Sequence, residues 1–505
     1  MKSELFLLTV QGLYDDAVDA VDDRFAPLVR EAAVADPQWT AAFLKWLRAE
    51  PGLRPAALAG ALEAARAMLA AGRPGSRRLV ESVLLRADDP GEALSYWVGR
   101  YGRAIPKPVK RGVADAVARL YTEPAMLRHD TATKGFRFAD VIDLVHPAPA
   151  APWQGDLFKV ALERRHHRDD LSLDSLPMVS ANALLREAAA DPAALFEMLR
   201  DPARLEAAGM TWQGVLSLAG SNVDKRLLWR AVVPMMGYLA LLANLRRFDE
   251  ADIHDDVAAA VSARLADPAR VARSRQLPLR FVAVHERAPS LRWGPALERA
   301  LQASLANLPA TTGRTLVLVD TSASMTASTI GSMAGSVGWV PGSLTPAKTA
   351  AVFSVALAAG TGARLHGFAG RHFHHEVPRG ASILKEANRF LARTGEAGHA
   401  TDVAEALRGT YSGQDRVIVI SDTRHEDADF SLVPKEVPLF AINLGESGPS
   451  RLVMRAHNRY ELGDLSDATF RLIPLLEAAR DCAWPWEKEA GEREAREKEL
   501  REGEP

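Results

Sequence analysis

Residues 314–324 read RTLVLVDTSAS, and this stretch decides the fold of the C-terminal half. Its first seven residues form a short apolar run, rich in β-branched side chains, that ends in an acid. Such a run is too short for a typical helix and fits a buried strand. The form returns at residues 416–422 (RVIVISD), and residues 438–445 (PLFAINLG) are a third such run. Helical stretches separate them at residues 346–359, 382–392 and 403–408. Buried strands alternating with helices predict a parallel sheet covered on both faces. Ligands of such sheets gather at the carboxyl ends of the strands. Two of these strands end there in an acid.

The end of the first strand reads D-x-S-x-S, with Asp320, Ser322 and Ser324 in one loop. Hydroxyls with one or two carboxylates suit a hard cation such as Mg²⁺, which takes oxygen ligands and keeps open positions for water or a partner's oxygen. Two further segments are expected to converge on this loop. Residues 400–402 precede a helix and offer the Thr401 hydroxyl, and Asp422 ends another strand with a second carboxylate. Residues 327–344 are rich in Gly and Ser, contain Trp339, and follow the site directly.

Upstream, residues 1 to about 305 carry helical periodicity and little strand signal. Residues 56–71 are alanine-rich and break at Gly72. Residues 109–121 follow Pro106 and Pro108 and align Val113, Val117 and Leu120. Asp191-Pro192 and Asp201-Pro202 are helix starts, since Asp caps and Pro is tolerated in the first turn. Irregular helical pairs without a fixed repeat fit an α-solenoid or a plain helical bundle.

With 505 residues the chain exceeds one compact core, and 48% apolar and 25% charged residues exclude wholesale disorder. One cysteine, Cys482, excludes an internal disulfide, a CxxC zinc site and an iron–sulfur cluster held by this chain alone. The first ten residues lack a signal-peptide layout, and the longest apolar run, residues 231–243, is too short to span a bilayer. A cytoplasmic protein is expected. The net charge of −2 argues against a nucleic-acid binder only at the scale of the whole chain. Residues 100–168 hold 13 basic against seven acidic side chains, a balance of +6. Such a cluster is either an electrostatic footprint for phosphates or a solvated face paired with acidic neighbours. Residues 487–505 form a charged tail to which no chemistry is assigned.

Both halves resemble known families. Asp320, Ser322, Ser324, Thr401 and Asp422 match the metal-ion-dependent adhesion site of the von Willebrand factor A domain. The match implies a Rossmann-like sheet, a divalent cation, most simply Mg²⁺, and a partner carboxylate completing the shell. Ala323 stands where that family often has glycine. The helical half resembles the TROVE module through residues 89–102 (DPGEALSYWVGRYG), 105–112 (IPKPVKRG), 135–147 (GFRFADVIDLVHP), 235–249 (MMGYLALLANLRRFD) and 277–281 (LPLRF). A TROVE module followed by an A-type domain is the layout of the Ro autoantigen family and its bacterial members.

That resemblance implies a TROVE module at 1–305, an A-type domain at 306–486 and a tail at 487–505. It implies a HEAT-like α-helical solenoid closed into a ring, joined to the α/β domain, in a non-catalytic monomer. Small structured Y-like RNA would bind the outer surface, and single-stranded 3′ ends of misfolded RNA would enter the hole. A 3′ exoribonuclease is the implied protein partner, in RNA quality control or decay. The matched RNA-contact positions are His146, at the end of residues 135–147, with Lys107, Lys110 and Arg111. Arg128 and Lys134 flank the same loop with imperfect spacing. For His146 the competing reading is a buried histidine at a helix end. Tyr101 and Trp153 are aromatic residues that stack on bases or, more commonly, fill a core.

The competing functional class is a protein-interaction adaptor built on the metal site. No GK dipeptide and no H-E-x-x-H are present, so no Walker loop and no zincin motif is encoded. His366, His372, His374 and His375 form a histidine-rich stretch, read as polar residues of an edge strand.

Overall fold

The computed structural model describes residues 1–15, 24–50, 52–166, 173–220, 223–288, 290–327, 345–422, 429–445 and 452–487. The chain divides into two compact units. One holds Met1–Thr9, Val18–Met236 and Pro485–Pro505; the other holds Val10–Ala17 and Gly237–Trp484. Among the described residues no helix is long and apolar enough to cross a membrane.

The first unit is helical, and its helices start where short polar side chains stand ahead of proline. Asp36 accepts a hydrogen bond from Trp39 N (3.0 Å), and Asp191 and Asp201 cap the next helices in the same way. Each helix then packs on near neighbours in sequence. The Arg54–Ala70 helix lies against Phe25–Ala35, Pro37–Ala49 and Ser76–Val83; Ser76–Val83 packs on Lys107–Leu120; that helix packs on Phe138–Val145, which packs on Pro152–His166. This is stacking of a solenoid, with apolar faces buried pairwise along the array.

Two details set the spacing of the array. A side chain at Gly112 would meet the Arg77 carbonyl oxygen at 2.5 Å, so only glycine lets these helices approach so closely. Asp89 is fully buried, yet it accepts from Arg48 (2.9 Å), Arg54 (2.6 Å) and the backbone N–H groups of Leu85 and Arg86 (2.7 Å each). A buried carboxylate is tolerated because two guanidinium groups and two backbone N–H groups surround it.

The second unit opens with helices from Tyr238–Ala243 to Gly294–Ser304 and continues into a seven-stranded sheet. Its strands are β1 (Thr315–Asp320), β2 (Arg364–Phe368), β3 (His372–His375), β4 (Arg416–Ser421), β5 (Leu439–Asn443), β6 (Val453–Ala456) and β7 (Arg459–Leu462). The order is β3-β2-β1-β4-β5-β7-β6. Five central strands run parallel, and β3 and β6 pair antiparallel at the two edges. Val403, Ala406 and Leu407 cover one face over Leu316, Leu318, Val417 and Val419. Leu357, Phe470 and Ile473 surround Ile418 on the other, where Phe353 stacks on Phe470 at 4.2 Å. The expected parallel sheet with helices on both faces is therefore present.

Candidate functional site

The sheet reverses its winding at β1, which has β2 on one side and β4 on the other. At such a switch point the loops part and leave a crevice above the strand ends. Register sets Val319 beside Ile420, so Asp320 and Ser421 leave their strands side by side.

All five expected metal-site residues meet there. Asp320 is 2% exposed. Its Oδ1 accepts from Ser322 N (2.8 Å), and its Oδ2 accepts from Thr401 Oγ1 (3.1 Å) and Ser421 Oγ (2.8 Å). Ser322 Oγ and Ser324 Oγ stand 3.0 Å apart, and Ser324 Oγ donates to Asp422 Oδ1 at 3.2 Å. The T-D pair splits its work. Thr401 faces Asp320, while Asp402 caps the Val403–Thr410 helix by accepting from Glu405 N (2.8 Å).

This donor set fits a small hard cation. Two oxygens sharing an octahedral edge around Mg²⁺ at ~2.1 Å stand about 3.0 Å apart, the separation of the two serine hydroxyls. Burial, and then the Ser324 hydrogen bond working against it and the Asp320 charge working with it, leave the Asp422 carboxyl above the usual carboxylate range. A cation between the two acids would relieve that repulsion. Ser421 was not among the expected ligands. Its hydroxyl holds Asp320 in place, and the S-D dipeptide at a strand end was its only trace in the sequence. Residues 328–344, the Gly/Ser-rich stretch after the site, lie outside the described residues, as does the charged tail beyond Glu487.

The basic segment lies in the helical unit. Several of its charges are spent internally. Lys134 Nζ sits 3.2 Å from Glu92 and 3.7 Å from Asp88, Arg137 pairs with Asp130 (3.0 Å), Arg165 with Asp140 (3.1 Å) and Arg100 with Glu63 (3.1 Å). Others remain. Lys107, Lys110 and Arg111 lie within the first five residues of the Lys107–Leu120 helix and make no ion pair among the described residues. Like-signed charges at a helix N-terminus oppose the macrodipole, and both attract anions. Arg128 is also exposed and without an ion pair among the described residues, as is Arg103, which belongs to the basic segment but not to the expected RNA-contact positions.

His146 is exposed at the end of the Phe138–Val145 helix, in the left-handed region at φ 49°, where its N–H closes the helix on the Ile142 carbonyl. The structure thus decides against the buried alternative. Of the two aromatic residues, Tyr101 turns inward, its hydroxyl donating to Glu63 at 2.6 Å, whereas Trp153 is 39% exposed.

Residues 203–292 match the family model of the TROVE domain. This stretch of the chain is thus similar to the TROVE domain. The matched span includes residues 235–249 and 277–281 of the segments quoted above; those at 89–147 lie before it. The solved structure of the Deinococcus radiodurans RO (RSR) protein superposes with a TM-score of 0.67 over 92% of this chain and 94% of that one, at 18% sequence identity. The chain therefore has the fold of that bacterial Ro protein, a helical solenoid and an α/β domain. No curated protein sequence matches it.

Proposed function

We propose that this protein is a non-catalytic, monomeric RNA-binding scaffold of the cytoplasm, acting in RNA quality control or decay. The observation that carries the reading is the trio Lys107, Lys110 and Arg111, the first and last exposed and Lys110 half-buried, with no ion pair to an acid among the described residues, on a fold like that of Ro and a chain similar to TROVE. Charges already paired inside a protein gain little from a phosphate; these three have no competing partner. They attract backbone phosphates without reading base edges, which suits recognition by shape and by unpaired strands. Arg128 and His146 are the further contacts, and Lys134 contributes by holding its loop to Asp88 and Glu92. The ligand classes are a small structured Y-like RNA and misfolded RNA with a single-stranded 3′ end, handed on to a 3′ exoribonuclease.

A gel-shift with a small structured RNA bearing a 3′ single-stranded tail tests this. Tight binding at low salt that falls steeply with added salt supports it. Unchanged binding after removal of the tail removes the 3′-end part, and no RNA binding ends the reading.

The oxygen cluster around Asp320 supports a second, compatible activity. Asp320, Ser322, Ser324, Thr401 and Asp422 would hold Mg²⁺, directly or through water, and an acidic side chain of a protein partner would fill an open position. Loss of protein partners in EDTA and in Asp320→Ala, with RNA binding intact, supports the adaptor role; partners retained in both end it.

A further inference from the structure

The helical unit also holds a cavity, apart from the Lys107, Lys110 and Arg111 trio. It measures about 90 Å³ and is bordered by Ser95 and Gly135, both exposed, where it meets solvent. Asp88 and Glu92, at the start of the Asp89–Tyr101 helix, line it together with Lys134, Phe136 and Phe138, around the start of the Phe138–Val145 helix. These two segments meet closely, since a Cβ at Gly91 would stand 2.9 Å from the Phe136 carbonyl oxygen. Tyr121, at the end of the Lys107–Leu120 helix, is a buried member of the lining, and its ring stacks on Phe138 with centres 3.7 Å apart.

Tyr121 is 1% exposed, and its hydroxyl has no hydrogen-bond partner. Buried hydroxyls normally have one, from protein or from water. Burial first, then the charges of Asp130, Asp140 and Asp88, hold this phenol well above the ordinary tyrosine range, so it keeps its proton and is free to donate. The lining also narrows what the cavity can take. Asp88 and Glu92 repel an anion. A cation is already in place, because Lys134 Nζ stands 3.2 Å from Glu92 and 3.7 Å from Asp88. What fits is a neutral, planar group. It needs a donor for a carboxylate, an acceptor for the Tyr121 hydroxyl and flat faces for the phenylalanines.

We propose that this cavity takes one unpaired cytosine base of a bound RNA, a proposal that rests on the RNA-binding reading of the helical unit. Cytosine offers its N4 amine to Glu92, as carboxylates accept from that group elsewhere, and its ring nitrogen or carbonyl to Tyr121. Unpaired bases are commonly held against aromatic side chains. Uracil has no amine to offer. At ~15 Å³ per water the cavity has room for about six waters, which suits one six-membered ring better than a fused purine. Arg128, exposed and next in sequence to the lining residue His129, offers a charge for the phosphate of that nucleotide.

The test compares short single-stranded oligocytidylate and oligouridylate of equal length on the full chain, with free cytidine titrated separately by calorimetry. Oligocytidylate should bind ~10-fold more tightly than oligouridylate. Tyr121→Phe removes only the hydroxyl. It should level the two affinities by weakening oligocytidylate, weaken cytidine ~10-fold, and leave the melting temperature no lower. Replacing Lys107, Lys110 and Arg111 with Ala should weaken both oligomers and keep their ratio. Equal affinities in the parent protein, or a preference that survives Tyr121→Phe, would overturn the cavity proposal and leave the RNA reading standing. Cytidine bound through Tyr121 with neither oligomer bound would end the RNA reading and assign the cavity to a free nucleoside. No cytidine binding and no base preference would mean that water alone meets the Tyr121 hydroxyl, and the proposal would fall.

Discussion

Ser421 Oγ donates to Asp320 Oδ2 at 2.8 Å, joining the ends of two neighbouring parallel strands across 101 residues of sequence. The same carboxylate oxygen accepts from Thr401, and its partner oxygen accepts from Ser322 N. Asp320 is thus both the central acid of the candidate metal site and the post to which three segments are tied. Asp320→Ala therefore has two effects. It should abolish the proposed Mg²⁺ binding, and it strands Thr401 Oγ1, Ser421 Oγ and Ser322 N in a largely buried setting. Loss of about 1–3 kcal/mol of stability is expected. Isothermal titration with Mg²⁺ and chemical denaturation check the two parts separately.

Gly445 offers a way to disturb the metal site without touching a ligand. The loop after β5 passes so close to the Asp422 backbone that a side chain at Gly445 would overlap the Asp422 carbonyl oxygen. Leu444 N also donates to the Ser421 carbonyl at 2.8 Å, which fixes the loop there. Gly445→Ala must push Asp422 away from Ser324. Mg²⁺ affinity should fall while every oxygen ligand is still present, with a stability loss of ~1–3 kcal/mol from overpacking. Unchanged Mg²⁺ titration in this variant would show that Asp422 tolerates the shift.

The paired and unpaired cations of the helical unit should separate in a salt series. Replacing Lys107, Lys110 and Arg111 with Ala removes the three proposed phosphate contacts and no ion pair among the described residues. The slope of log affinity against log salt should shrink by about 2 for a single-stranded RNA, at ~0.7 per contact, with stability unchanged. Lys134→Ala should do the reverse. It leaves Asp88 and Glu92 short of a cation, so the melting temperature drops while the salt slope changes little.

How much of this was legible in the sequence depends on the element. β1 and β4 were plain because all six residues of each are buried, with four consecutive aliphatic residues in the middle of each run. β2 and β3 were not, because Arg364, His366, Gly367 and the three histidines of the edge break any apolar pattern. β6 and β7 carry Arg455, Arg459 and Glu461, and the Asp467–Asp481 helix hides behind Pro474 in its interior. Asp320, Ser322 and Ser324 were readable from spacing alone, being local. Thr401, 81 residues from Asp320, joined them through its place ahead of a helix and the family pattern together, because no local rule encodes a long-range contact. Likewise the +6 balance of residues 100–168 gave the charge but not its pairing. Which cations are free depends on where Glu63, Glu92 and Asp88 fold to.

Asp88 gives the pH dependence of that pairing. Burial opposes its charge, but the Arg86 hydrogen bond and the attraction of Arg54, Arg86 and His129 outweigh it and hold the carboxyl down to about 2, against 3.8 for a free aspartate. A depressed carboxylate means that the unfolded chain binds the proton more readily than the folded one. The stabilisation is complete above pH 3.8 and is lost as pH falls toward 2. Asp88→Asn removes this contribution at every pH. The variant should be less stable than the parent at neutral pH, and the gap should close between pH 4 and pH 2. Urea midpoints of both proteins across that range measure it, and a gap that stays constant down to pH 2 would mean that Asp88 acts through its shape alone.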